Sequence, residues 1–74
     1  MMKIQEEFQE HNPGLVYIDH KYLDGGRVGI SFIAIGSCGV MGGVRVYKAF
    51  GGKIDWHGKR ETFLSWADVK QKQR

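Results

Sequence analysis

A chain of 74 residues specifies a single domain, residues 1–74, with one small core, because a protein of this length buries only about 60% of the surface its unfolded form exposes. That size excludes a deep two-lobed cleft and a dinucleotide fold, and 42% apolar with 26% charged residues excludes a disordered chain. The net charge is +3 and it collects late: residues 44–74 carry eight Lys or Arg against Asp55, Glu61 and Asp68, whereas residues 1–14 set Lys3 against Glu6, Glu7 and Glu10. A basic second half favours a polyanionic partner.

The opening segment, Lys3 to His11, places Ile4 and Phe8 four apart among charges, which predicts a short amphipathic helix. Asn12-Pro13-Gly14 ends it, since proline disfavours helix at the residue before it. From Leu15 the period becomes two, with Val16, Ile18, His20 and Tyr22 on one side and Tyr17, Asp19, Lys21 and Leu23 on the other. Asp24-Gly25-Gly26-Arg27 is a hairpin signal leading into Val28–Ile35, whose end is apolar on both faces and reads as the central, most buried strand. Residues 36–43 read as a flexible loop or a bulged strand. A strand over Val44–Phe50 follows, then a tight turn at Gly51-Gly52, a segment Lys53–Trp56, a third turn at His57-Gly58 and a strand over Lys59–Leu64. Ser65 and Asp68 form a capping box for a closing helix, with Leu64 and Val69 as its hydrophobic staple and Trp66 and Val69 facing the core. The expected fold is α+β: a short N-terminal helix, an antiparallel meander of three to five strands, and a short C-terminal helix packed on the sheet. Connections this short hold no parallel crossover.

Cys38, the single cysteine, has no internal disulfide partner, and the polar, acidic stretch Met1–Glu7 lacks the order of a signal peptide. A cytoplasmic location is the expectation. The uncharged run from Val28 to Val44 matches the lower length limit of a membrane span and contains Gly39-x-x-x-Gly43, but five of its 17 residues are glycine and it divides at residues 36–39 into two strand-like pieces. No membrane partner is expected.

Chemistry finds little footing. Gly36-Ser37-Cys38-Gly39 lacks the second glycine of a nucleophile elbow, since Val40 stands there. His11, His20, His57 and Cys38 show no paired ligand spacing, so no metal is expected. The glycine-rich residues 36–43 lack the Gly-Lys-Ser/Thr of a phosphate loop, and Asp19, Asp24, Asp55 and Glu61 are too scattered for an acid–base dyad. The expectation is a protein that is not an enzyme and uses no cofactor.

The richest signal is basic and aromatic: Arg45, Tyr47, Lys48, Lys53, Trp56, His57, Lys59 and Arg60. Cations that meet phosphates beside rings that stack on bases suit nucleic acid, although aromatic residues in a ribbon also serve as core pairs. A second expectation concerns Gly39, Val40, Met41 and Val44, a flat apolar seam open to homodimerisation or to a partner protein. These give two readings: a nucleic-acid-binding module, or a small protein of the phage or mobile-element kind that inhibits a host protein by direct contact.

The helix–strands–helix order resembles a double-stranded-RNA-binding domain, except that Ser65-Trp66-Ala67-Asp68 stands where that family opens its last helix with basic residues. Lys53–Val69, with Gly58-Lys59-Arg60 in a turn, is similar to the three-strand-plus-helix DNA-binding domains of phage integrases over under a third of the chain. Neither likeness assigns a family.

Overall fold

The computed structural model describes residues 3–72. Helix α1 spans Ile4–His11 and is followed by strands β1 (Leu15–Leu23), β2 (Arg27–Gly36), β3 (Gly39–Phe50), β4 (Lys53–Ile54) and β5 (Glu61–Phe63), then by helix α2 (Trp66–Lys72). The strands form one antiparallel sheet in the order β1-β2-β3-β4, with β5 also on β3, curled into a half-barrel. β3 is long enough to serve two partners on one edge: Ala49 and Phe50 pair with β4, and Val44 to Val46 pair with β5. The expected α+β meander with a helix at each end is the observed fold.

Each face of the sheet carries its own core. On one, Phe8 of α1 meets Val28, Ile30, Tyr47 and Trp56, flanked by Ile4, Leu15, Tyr17, Phe32, Ala49 and Ile54. On the other, Val69 of α2 meets Val44 and Val46, flanked by Leu23, Phe63 and Trp66. The alternation of β3 makes this division, since Val44 and Val46 point one way and Arg45 and Tyr47 the other.

Asn12 ties α1 to the sheet. Its Nδ2 donates to the Phe8 carbonyl (2.9 Å) and to the Tyr47 hydroxyl (3.1 Å), while its Oδ1 accepts from the Arg45 guanidinium. A buried amide surrounded by partners in this way costs little to bury and fixes the helix exit.

Several local expectations change. β1 has a bulge between Tyr17 and Asp19, so Tyr17 opposes Phe32 while His20 opposes Ile30 and Tyr22 opposes Val28. The extra residue reverses side-chain parity, placing Tyr17 with His20 and Tyr22 and moving Val16 to the face of Lys21 and Leu23. Residues 36–43 are no loop: Gly36 pairs with Gly39 around a turn at Ser37-Cys38, and the strand runs on. β2 is central, but its far end is open, with Ile35 exposed. The last strand is only Glu61–Phe63 and pairs with β3 instead of the preceding segment. In the capping box Ser65 Oγ accepts from the Asp68 amide (3.4 Å) and donates to Asp68 Oδ2 (3.3 Å). The staple is absent, because Leu64 is 85% exposed while Val69 is spent on the core.

Close packing of β3 against β5 makes Gly43 sensitive. A Cβ there would lie 2.5 Å from the Phe63 carbonyl oxygen, a backbone atom that cannot swing aside. Gly43→Ala is expected to cost about 1–3 kcal/mol in chemical denaturation. Gly36→Ala, with nothing within 4 Å of its Cβ, should stay within about 0.5 kcal/mol of the parent.

Candidate nucleic-acid interface

The turn between β1 and β2 brings Arg27 into register opposite Lys48 of β3. Gly25 and Gly26 make that turn with φ of 80° and 69°, a region that side chains with a Cβ rarely enter. The turn is tied down where the Ala49 amide donates to the Gly26 carbonyl (2.8 Å). Directly opposed residues of an antiparallel pair share a face, so Arg27 and Lys48 stand side by side on the α2 side of the sheet. The segment between β4 and β5 then carries Lys59 and Arg60 to the same place. Together with Val46, Tyr47 and Glu61 these four cations line one hollow of about 310 Å³. Glu61 is the acidic member and lies 3.8 Å from Arg27, both side chains being well exposed. An ion pair this open contributes little to stability. The hollow therefore keeps a positive excess.

Of the cations named from the sequence, Lys48, Lys59 and Arg60 line this hollow, joined by Arg27, which sequence reasoning missed. Its only signal was its place at the end of a glycine turn, and the partner strand had to be known before the adjacency to Lys48 could be seen.

The other members of the basic–aromatic set lie elsewhere. Trp56 is 9% exposed and Tyr47 1% exposed, so neither ring is open to a base. Their rings meet edge to face at 4.9 Å, Trp56 stacks on His11 at 5.3 Å, and its Nε1 donates to Glu7 Oε1 at 3.0 Å. The aromatic pair is core, as expected when large rings supply most of a small domain's buried area. Arg45 turns to the α1 side, where its guanidinium meets Asn12 and lies 5.2 Å over the Phe32 ring, a cation–π contact inside the fold. It is a brace and not a phosphate contact. His57 is exposed beside His11, with ring centroids 5.0 Å apart. Lys53 lines a different hollow with Tyr22 and His20.

The apolar seam also divides. Gly39, Val40 and Met41 are exposed at the end of the β2–β3 ribbon, Met41 at 76%, whereas Val44 is 2% exposed beneath α2. Val44 belongs to the core because it opposes Phe63 of β5.

Among the described residues no helix is long and apolar enough to cross a membrane. Comparison of the chain with protein-family models, curated proteins and solved structures found no match. Function has to be read from geometry and charge.

Proposed function

We propose that the protein is a non-enzymatic binding module that grips the phosphate backbone of nucleic acid in the hollow formed by Arg27, Lys48, Lys59 and Arg60. The supporting observation is the direct opposition of Arg27 and Lys48 across β2 and β3. Like charges facing each other in a ladder destabilise a sheet, and a phosphate between them offsets that repulsion. Lys59 and Arg60 extend the positive surface from a separate segment. With Tyr47 and Trp56 buried, bases are not stacked at this hollow, so contact is with phosphates and recognition is insensitive to sequence. Lys59→Ala combined with Arg60→Ala is expected to weaken binding of oligonucleotides about 10- to 100-fold at low salt, equally for unrelated sequences. Both residues are exposed, so the fold should persist by circular dichroism; unchanged affinity would remove the proposed surface.

One observation favours a second reading, inhibition of a host protein by direct contact. The β2–β3 ribbon extends beyond its neighbours and exposes Ile35 and Val40 side by side on one face and Met41 on the other, an apolar tip available to a partner. On this reading Val40→Asp abolishes a complex with one protein that survives raised salt, whereas the double substitution at 59 and 60 leaves it intact.

A further inference from the structure

A second hollow lies apart from the basic notch. It measures about 940 Å³ and is bounded by the start of α1, by β1 and by the β3–β4 turn. The β1 bulge builds it: by reversing parity at Ile18 it brings Tyr17 onto the side of His20 and Tyr22. His20 and Tyr22 meet edge to face at 5.7 Å, and the Tyr17 hydroxyl shares a 2.5 Å hydrogen bond with His20 Nδ1. Burial, and secondarily the charge of Asp19, holds the Tyr17 hydroxyl above its ordinary pKa. Tyr22 is 61% exposed and presents its ring to the hollow's mouth. Lys3 and Lys53 stand at the rim, and among the described residues neither is in an ion pair. Glu7, the acidic lining residue, is engaged by the Trp56 indole at 3.0 Å.

Aromatic walls alone would suit any flat apolar molecule, and lysines alone any anion. A ligand that uses both is a flat ring joined to a negative group. We infer that this groove binds a nucleotide, its base against Tyr22 and the Tyr17–His20 pair and its phosphate between Lys3 and Lys53. Base–aromatic stacking is tolerant of base identity, because every base offers a π-face. The site is separate from the phosphate-gripping hollow and does not depend on the reading given to it.

The test is an NMR titration of the full chain with adenosine 5′-monophosphate, adenosine and inorganic phosphate, following the amides of His20, Tyr22 and Lys53. The nucleotide should bind saturably, with adenosine and phosphate each at least about tenfold weaker, since each offers half the contacts. Tyr22→Ala and Lys53→Ala, both at exposed positions, should each weaken the nucleotide about 5- to 100-fold, and Tyr22→Phe should restore it, because the ring and not the hydroxyl does the stacking. Gly36→Ala, at the far end of β2 and lining neither hollow, should leave this affinity unchanged, and the amides of Lys59 and Arg60 should not shift with the same saturation, which separates the groove from the notch. A nucleotide free in solution and one within a strand present the same chemistry. If Tyr22→Ala also weakens a single-stranded tetradeoxyadenylate the strand supplies it, and if only the monophosphate responds the free nucleotide does. Absence of saturation up to about 10 mM nucleotide, or binding indifferent to both Tyr22→Ala and Lys53→Ala, overturns the inference.

Discussion

Replacing Phe8 by alanine is expected to remove about 3–5 kcal/mol of stability, the range for truncating a fully buried phenylalanine. Phe8 has no exposed surface and is the pivot of the α1-side core, with ring centroids 6.5 Å from Tyr17 and 6.2 Å from both Phe32 and Trp56. A domain of this size has roughly 4–11 kcal/mol in total, at about 0.05–0.15 kcal/mol per residue. The loss is therefore at least about a quarter of the total and, at the lower end of that range, all of it. The damage spreads beyond the cavity, because the Phe8 carbonyl accepts from both the amide and Nδ2 of Asn12, and Asn12 in turn holds Arg45 and Tyr47. Urea denaturation should show Phe8→Ala largely unfolded near 37 °C, while Phe8→Leu, which keeps most of the volume, loses about half as much or less. A Phe8→Ala protein within about 1 kcal/mol of the parent would mean that α1 does not organise this core.

The second large effect separates binding from stability. Lys48→Glu places a carboxylate directly opposite Arg27, converting a repulsive cross-strand pair into an attractive one. Stability should hold or rise by up to about 1 kcal/mol. Affinity for nucleic acid should fall about 100-fold, or about 2.7 kcal/mol, because a phosphate contact is lost and a repulsive charge is added. A substitution that strengthens the sheet and removes binding has no explanation in terms of unfolding. Lys48→Gln should lie between the two, whereas affinity for Lys48→Glu within threefold of the parent would place the phosphates elsewhere.

Much of the fold was legible because its signals are local. Asn12-Pro13-Gly14 ends α1, Asp24-Gly25-Gly26-Arg27 turns β1 into β2, and Ser65 with Asp68 starts α2, each through the backbone geometry of a few neighbouring residues. The readings that changed depend on distant partners. The bulge at Ile18 leaves no mark in a run of alternating residues, yet it reverses parity for half of β1 and creates the aromatic groove. Trp56 follows a two-residue strand, so its burial is decided by Phe8, His11 and Tyr47 rather than by any period of its own. Arg45 and Lys48 look equivalent as cations of one strand. They point to opposite faces, and only the position of Asn12 beneath one face decides that Arg45 is a structural brace. The basic notch was half legible: the cations at 48, 59 and 60 could be named, but the fourth came from a strand whose register the sequence does not state.

The central claim is that cations from separate strands act as one phosphate-binding surface, and its most direct test is the salt dependence of binding. For the parent chain on duplex DNA, log Kobs plotted against log salt should fall with a slope of about −3 or steeper, given about 0.9 per phosphate neutralised. With Lys59→Ala and Arg60→Ala together the slope should become shallower by about 2, because two phosphate contacts are gone. Parallel lines for the two proteins, or a parent slope near zero, would contradict the account.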